Sequence, residues 1–310
     1  MTGNSMAVQI PVEHIFTLRI EGLADNPYQF DGPFGRRAFE RATAGTATGK
    51  VLQGRVLELL ASDYGRASSD GTLQSYNGSL AIQADDGTVI LLQYRGRRSP
   101  RYAEGTSRYQ ILFQAPEGKY GWFNGVQAIG YGLHSDDGAV IEVYALTGEA
   151  EQEGDADLAS PADRRTVSAE LIFSRRSKHT PGATRHIIPA PLGTRYLTLA
   201  EGGGTLQGPR IKGEWVSGYS WSPHRILQLA NGDVPLWHFD LDVLLRTDDG
   251  TPILMSYTGV SSERYEAGTW VVATVFEVPS GRYDWLNEIQ GVGFGRWAGD
   301  GAEYKIYGLD

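Results

Sequence analysis

The sequence contains no cysteine among its 310 residues. Disulfide bonds, thiolate chemistry and cysteine metal sites are therefore excluded, while the redox compartment stays open because a chain without cysteine tolerates either kind. No run of eighteen apolar residues occurs, and the first residues lack the basic segment and apolar stretch of a secretion signal. We therefore expect a soluble, cytoplasmic protein with no membrane partner.

Positive charge is also scarce, with 28 Lys and Arg against 37 Asp and Glu and a formal net charge of -9. This balance offers no basic surface for nucleic acid, so no nucleic-acid partner is expected. Walker loops, zinc-protease helices and GxSxG elbows are missing, and the six histidines show no spacing typical of metal ligands. We expect no metal, flavin or nicotinamide cofactor.

What the sequence does contain is a long internal repeat. The text from Asp85 to Leu146 recurs from Asp248 to Leu309 at an offset of 163, without a gap and with 27 identities over 62 positions. An upstream part recurs at an offset of 159, so the second copy carries four extra residues in between. A repeat of this length is far above the range of solenoid units, which indicates two domains that each bury a core.

The repeat sets the predicted domain boundaries. Residues 1–146 form the first copy, residues 166–310 form the second, and the unrepeated acidic segment Thr147–Arg165 is the linker. Fusing two such modules predicts an intramolecular pseudo-dimer, with a further homo-oligomer also open.

Glycine and aromatic residues are abundant, and no segment is long enough for a crossover helix. Short alternating strands, together with Asp-Gly turns at Asp85 and Asp248 that suggest type I′ hairpins, predict an all-β antiparallel fold of eight to ten strands per copy. We favour a barrel over a sandwich because glycines recur at alternate positions of one strand, as in Gly293 and Gly295. The fold class predicted is two tandem antiparallel β-barrels.

Four sequence motifs are similar to those of a known protein family: GPRIKGEWVSG, LRTDDGTPILMSYTG, RYDWLNEIQGVGFGR and the final YKIYGL. They resemble the family called domain of unknown function 3237, closely over Ala169–Leu309 and more loosely over Val12–Leu146. The resemblance implies a compact, calycin-like β-barrel without an assigned function. The first copy departs from the family pattern at Asn77, where the second copy has Asp240, so the chemistry of the first copy is in doubt.

The run WHFDLDV, from Trp237 to Val243, is the most informative polar segment. Strand alternation places His238, Asp240 and Asp242 on one face. If that face lines the barrel lumen, Asp240 is a candidate general base tuned by His238, and Asp242 contacts substrate; if it faces water, the residues are ordinary solvated side chains.

Tyr257 and Arg264 occupy positions that both copies keep, and a tyrosine hydroxyl or an arginine could stabilise an oxyanion. The alternative for these two is packing at the rim and a loop salt bridge. Trp285 and Asn287 belong to a YxWxN motif, where the asparagine could pin a turn and the tryptophan could plug the barrel end. We include both, with Trp221, as candidate substrate-binding residues.

Three alternative functions follow from this pattern. The first is a cofactor-independent lyase or isomerase that acts by acid–base chemistry on a small apolar or aromatic molecule in the second barrel. The second is a lipocalin-like binding protein without catalysis, and a purely structural pseudo-dimer is a third. A general base separates the first two, because its removal should abolish turnover and leave affinity nearly intact.

Overall fold

The computed structural model describes residues 7–23, 29–32, 35–40, 42–58, 62–68, 70–149, 164–179, 185–188, 194–198, 201–221, 223–227 and 236–310. The described chain consists of β-strands with two short 3₁₀ helices, and it contains no α-helix. It forms two compact units, one built on Val12–Leu146 and the other on Thr166–Asp310. Residues 7–11 and 147–149 belong to the second unit. Each unit is described by itself below.

The N-terminal unit is built from eleven antiparallel strands. They are β1 (Ala7–Leu23), β2 (Gln29–Gly32), β3 (Gly35–Glu40), β4 (Ala42–Thr48), β5 (Gln53–Val56), β6 (Ser62–Ala67), β7 (Gln74–Ala84), β8 (Val89–Arg98), β9 (Thr106–Gln114), β10 (Gln127–Ser135) and β11 (Gly138–Leu146). Eight of them close a ring in the order β1-β4-β5-β7-β8-β9-β10-β11, because β11 pairs back onto β1. The other three, β2, β3 and β6, form a side sheet on β7.

The C-terminal unit repeats this topology strand for strand. Its elements are β12 (Arg164–His179), β13 (Arg185–Ile188), β14 (Thr194–Thr198), β15 (Glu201–Gln207), β16 (Lys212–Trp221), β17 (Pro223–Leu227), β18 (Leu236–Thr247), β19 (Pro252–Ser261), β20 (Thr269–Glu277), β21 (Gln290–Ala298) and β22 (Gly301–Leu309). The ring runs β12-β15-β16-β18-β19-β20-β21-β22 and closes from β22 to β12. Strands β13, β14 and β17 form the side sheet on β18. The predicted fold of two tandem antiparallel barrels is confirmed.

Each barrel interior is filled with apolar side chains. Phe16 of β1 and Phe173 of β12 are both fully buried at matching positions just after a β-bulge. Phe16 packs edge-on against Phe113, and Phe173 packs edge-on against Phe276. Burying a side chain of this size contributes roughly 1.5–3 kcal/mol. The closed ring therefore surrounds a packed core rather than an open channel.

Glycines on β21 permit the close approach of neighbouring strands. A Cβ atom on Gly293 would lie 2.5 Å from Ile306 Cδ1 and 2.8 Å from Val272 Cγ2, both of them side chains of the interior. Gly130 holds the equivalent place on β10, where a Cβ would lie 3.0 Å from Ile141. The prediction that one face of this strand needs small residues is confirmed.

The two Asp-Asp-Gly-Thr turns do form hairpins, but not with the predicted geometry. The N–H of Gly87 donates to the carbonyl of Ala84, so Asp85 and Asp86 are the central residues and glycine comes fourth. Gly87 has φ of 87°, and the Asp86 carboxylate accepts from the N–H of Thr88. The type I′ expectation, which needs positive φ at both central residues, is therefore corrected to a turn with glycine in last position.

No helix in the described part of the chain has the length and apolar character needed to cross a bilayer.

Candidate functional site

Asp240 and Asp242 lie on the outer face of β18. Both are exposed, whereas the alternate residues Leu241 and Val243 are buried in the barrel core. The Asp242 carboxylate accepts a hydrogen bond from the Ser256 hydroxyl on the neighbouring strand. Of the two alternatives for this polar face, the structure supports the solvent-facing one, because the apolar residues of the strand fill the interior. Asp240 lacks the burial that a general base at this position was expected to have.

His238 shares the outer face of β18 and is partly exposed. Its backbone pairs with Arg225 on β17 and Val260 on β19, which places it where the side sheet joins the barrel. Within the residues that the structure describes, no three His, Asp or Glu side chains are grouped as metal ligands would be.

Tyr257 and Arg264 lie at the same end of the C-terminal barrel. Tyr257 is inside the barrel, 2% exposed, with its ring centroid 6.4 Å from that of Tyr304. Arg264 is in the loop between β19 and β20, and it lines a cavity whose wall also includes Tyr304. Tyr257 is thus one side chain removed from this cavity. The catalytic roles predicted for these two residues remain predictions.

This cavity has a volume of about 500 Å³ and lies within the C-terminal unit. It is bounded by the β19–β20 loop, by parts of β12, β15, β21 and β22, and by Thr147–Glu149. Small-molecule sites in proteins occupy about 300–1,000 Å³, so its size is appropriate for a ligand. Four aromatic side chains contribute to the wall: Tyr265, Trp270, Phe294 and Tyr304.

The cavity wall carries more positive than negative side chains. Glu303 pairs with Arg296 at 3.0 Å and with Arg176 at 3.9 Å, and Glu149 pairs with Lys305. This excess is local, because the chain as a whole has a net charge of -9. Among the described residues the wall has five cations, Arg175, Arg176, Arg264, Arg296 and Lys305, and three carboxylates, Glu149, Glu266 and Glu303.

Arg175 is the most unusual side chain in this wall. It is 2% exposed and points from β12 into the barrel. Its guanidinium carbon lies 3.0 Å from the centroid of a Trp215 ring and 4.3 Å from that of Tyr304. The cation is therefore held between two aromatic faces, an arrangement that offsets part of the free energy of burying a charge.

Trp270 forms the wall next to this stack. It is 4% exposed, and its ring centroid lies 5.3 Å from that of Tyr304 and 4.9 Å from that of Trp297. A Cβ on Gly295 would lie 2.0 Å from the indole nitrogen, so the ring position requires glycine there. The indole N–H finds no hydrogen-bond acceptor among the described residues.

Trp285 and Asn287 lie at the opposite end of the barrel, in the 3₁₀ helix Asp284–Glu288. The Asn287 amide accepts from the N–H of Val278 and donates to its carbonyl, at 2.8 and 3.0 Å. The residue that plugs this end is Leu286, fully buried, while Trp285 is partly exposed against Arg210. The predicted turn-pinning role is confirmed, and the substrate-binding role is not supported by this position.

Trp221 belongs to β16, where its backbone pairs with Asp242. Its side chain lies outside the described part of the structure, so the predicted substrate contact stays a prediction.

Both halves of the chain match one family model, described as a protein of unknown function (DUF3237), over residues 10–146 and 168–309. The chain belongs to the DUF3237 family. The predicted tandem duplication is thereby confirmed. A search of curated proteins found no significant match.

Solved structures similar to this DUF3237 chain each cover about half of it. A β-barrel-like protein from Acinetobacter baumannii AYE is 21% identical with a TM-score of 0.40, and covers 49% of this chain and 100% of its own. A protein of unknown function from Clostridium acetobutylicum ATCC 824 is 22% identical with a TM-score of 0.39, covering 44% and 98%. An enzyme from Penicillium herquei is 21% identical with a TM-score of 0.36, covering 46% and 98%.

The two DUF3237 barrels differ at several positions near the cavity. Strand register places Leu18 at the position of Arg175, because these residues pair with Ile141 and Tyr304, which the repeat offset also relates. By the same registers, Val56 corresponds to Trp215 and Ser107 to Trp270. At these four positions the N-terminal barrel has Leu18, Val56, Ile141 and Ser107. The C-terminal barrel has, in the same order, Arg175, Trp215, Tyr304 and Trp270. Reasoning from sequence missed this set, although comparing the copies position by position would have revealed it.

A hydrogen-bonded cluster occupies the matching end of the N-terminal DUF3237 barrel. His134 Nε2 forms hydrogen bonds with the Ser107 hydroxyl at 2.8 Å and the Tyr109 hydroxyl at 3.0 Å. The imidazole also stacks on Tyr76, with ring centroids 5.8 Å apart. In the C-terminal barrel the equivalent of Tyr109 is the smaller Val272. The C-terminal barrel therefore lacks this cluster, with Trp297 at the position of His134.

The His134 cluster should make the N-terminal DUF3237 barrel sensitive to mild acid. Burial, assisted by the positive charge of Arg98, lowers the pKa of His134 from its ordinary value of 6.5. The unfolded chain then binds a proton before the folded chain does, so stability is full above pH 6.5 and falls as the pH drops through the lower folded pKa. Protonation also makes both ring nitrogens donors, whereas the neutral ring keeps one of them as an acceptor. Urea unfolding at pH 8, 6.5 and 5.5 should show this loss.

The His134→Gln variant should show a smaller loss of unfolding free energy between pH 8 and 5.5 than the parent. Equal pH profiles for the parent and His134→Gln would contradict the assignment.

Proposed function

We propose that the C-terminal barrel binds a small aromatic molecule in the cavity beside Arg175 and Trp270. The observation that carries the proposal is the difference between the copies. At one barrel end, Leu18, Ile141 and Ser107 are replaced by Arg175, Tyr304 and Trp270, which line a cavity of about 500 Å³. Val56 is replaced by Trp215, whose ring lies against Arg175. Aromatic walls with a few polar groups are the usual lining of small-molecule sites.

A structural role alone does not account for this replacement. The N-terminal barrel closes the same ring of eight strands with Leu18 and Val56 at the positions of Arg175 and Trp215. The fold therefore needs neither the cation nor the indole. Residues that a fold does not require, grouped on the wall of a cavity, support a binding role.

Acid–base catalysis on the bound molecule, as a lyase or isomerase without cofactor, is the second candidate function. It is favoured by Arg264 on the cavity wall and by Tyr257 behind Tyr304, which could together hold a developing oxyanion. The exposed position of Asp240 removes the base first considered for this reaction. The binding function therefore ranks ahead of catalysis.

The experiment is a screen of aromatic fragments by saturation-transfer NMR, using a variant that fills the cavity. Thr205 is exposed on β15 and lines the cavity, so Thr205→Trp should occlude it with little effect on folding. The matched control is Thr46→Trp, at the equivalent exposed position of the N-terminal barrel. We expect fragments that bind the parent and the Thr46→Trp variant and lose binding to the Thr205→Trp variant.

Two outcomes would overturn the proposal. One is a screen without a binder, and the other is a set of binders that Thr205→Trp leaves unaffected. Incubating each binder with the protein and looking for a new product by mass spectrometry would separate binding from catalysis.

A further inference from the structure

We infer that the outer face of the side sheet in the N-terminal unit binds single-stranded nucleic acid. The residues that carry the inference are Phe30 on β2, Arg37 and Phe39 on β3, and Arg66 on β6, which together are called the arginine face. The cavity belongs to the C-terminal unit, so the inference goes beyond the proposed function and does not depend on it.

Cross-strand pairing places two arginines next to each other on this face. Phe30 pairs with Arg37, Arg37 with Arg66, and Arg66 with Ser75 of β7. The face is the outer one, because Tyr76, the residue after Ser75, packs on the barrel core. Directly opposed residues of antiparallel strands lie about 4.5–5.5 Å apart, and like charges there are destabilising. The sheet gains no stability from this arginine pair, whereas an anionic partner would be attracted by it.

The strand positions of this face contain no acidic residue. In β2, β3, β6 and the adjoining β7 and β8, every position on the arginine side is a residue other than Asp or Glu. Asp31 lies on the other side, where it pairs with Arg36 at 2.9 Å. A surface of one sign attracts anions even on a protein of opposite net charge. The net charge of -9, from which no nucleic-acid partner was expected, therefore does not describe this face.

Two phenylalanine rings are exposed beside the arginines. Phe30 is 56% exposed and Phe39 is 49% exposed. Phe30 is opposite Arg37, and Phe39 is two residues further along β3, so the rings are diagonal neighbours about 7–8 Å apart. Single-stranded nucleic acid has flat bases that stack on such rings and phosphates that pair with arginine, and aromatic residues on sheet faces bind it in this way. An acidic peptide would match the charge but not the rings.

The C-terminal unit has the arginine pair without the two rings. Arg195 and Arg225 are paired across its side sheet at the corresponding positions. Ile188 and Leu197 occupy the register positions of the two phenylalanines. Base stacking is therefore assigned to the N-terminal unit alone.

The test measures the fluorescence anisotropy of a labelled oligothymidylate of about twelve nucleotides, within the usual range of site sizes, with the full chain. The association constant should fall as salt rises from about 50 to 200 mM. Arg37→Gln/Arg66→Gln should bind more weakly and should reduce the log–log salt slope by about 1.4, which is 0.7 for each phosphate contact. Phe30→Ala and Phe39→Ala should each weaken binding at least about fivefold, which corresponds to about 1 kcal/mol for one stacked base.

Two variants of the same barrel are matched controls. Arg55→Gln removes one positive charge from an exposed site on β5, where Arg55 binds Gln83. Gln83 is eight residues along β7 from Ser75 (83 − 75), a distance of roughly 26 Å. Trp122→Ala removes a ring that is 38% exposed in the 3₁₀ helix Gly121–Gly125. Both variants should bind the oligonucleotide as the parent does.

Four outcomes would overturn the inference. They are no binding at about 50 mM salt, parental binding by Arg37→Gln/Arg66→Gln, parental binding by both phenylalanine variants, and equal displacement of the strand by polyglutamate at the same charge concentration. The last would indicate an acidic protein partner. Circular dichroism should show parental folding in all variants, because the substituted side chains are exposed or partly exposed. Fragment binding to the cavity should be unchanged in the arginine-face variants, so failure of one proposal is distinguishable from failure of the other.

Discussion

Phe173→Ala is expected to lower the free energy of unfolding of the C-terminal barrel by about 3–5 kcal/mol. The Phe173 side chain is fully buried, and its ring lies edge-on against Phe276 at 6.3 Å. The loss combines the apolar contacts of the ring with the void that it leaves. The void stays open because each strand of a closed ring is hydrogen-bonded on both sides and cannot move inward independently. Urea unfolding followed by far-ultraviolet circular dichroism gives the value.

Two further variants serve as comparisons for Phe173→Ala. Phe16→Ala removes the equivalent ring of the N-terminal barrel and should have a loss of similar size, since Phe16 is also fully buried. Phe30→Ala removes a ring that is 56% exposed and should change stability by less than about 1 kcal/mol. A loss below about 1 kcal/mol for Phe173→Ala would contradict the packed interior.

Gly295→Ala should damage both the stability of the C-terminal barrel and the binding of its ligand. The new methyl group would lie 2.0 Å from the Trp270 Nε1 atom, so the indole must leave its position. Forcing a side chain out of a packed interior costs about 1–3 kcal/mol. Because Trp270 is a wall of the cavity, affinity for a bound fragment should also fall by about tenfold or more. Urea unfolding and fragment titration measure the two effects.

The control for this substitution is Gly65→Ala, where the nearest atom to the added methyl group is the Ser75 carbonyl oxygen at 3.7 Å. That variant should retain parental stability and binding. Gly132→Ala, at the position equivalent to Gly295, meets the Ser107 hydroxyl at 2.5 Å and should reduce the stability of the N-terminal barrel without affecting the ligand. Full ligand affinity in Gly295→Ala would show that Trp270 does not define the site.

The fold could be predicted from the sequence because its determinants are local or repeated. The alternation of each strand, the Asp-Gly turns and the glycines at alternate positions act within a few residues. Because the sequence is duplicated, the same features predict the same fold for both copies. Closure of the ring depends on pairing between strands that are distant in sequence, such as β1 with β11. The glycine pattern of β10 and β21 was the local sequence feature that indicated a barrel.

The site was harder to predict because alternation separates two faces of a strand without saying which is inside. On β18 the sequence left open whether the face with Asp240 lines the lumen or faces water, and in the structure Leu241 and Val243 occupy the lumen. Arg175 lies two residues after the buried Phe173 and therefore on the same face of β12. A charged residue near the end of a strand is nevertheless expected to be exposed to solvent. Its enclosure depends on Trp215 and Tyr304, which other strands supply from 40 and 129 positions later (215 − 175 and 304 − 175).

The segment Thr147–Glu149 gives the connection between the copies a role beyond tethering. These residues contribute to the cavity wall of the C-terminal unit, and Glu149 pairs with Lys305 on β22. A C-terminal half expressed from residue 166 would therefore fold around an incomplete recess, with one wall removed and a lysine left without its carboxylate. A change in the length or sequence of this connection would alter the shape of the recess from outside the barrel. The selectivity of the recess could then change, by evolution or by engineering, without the substitution of a core residue.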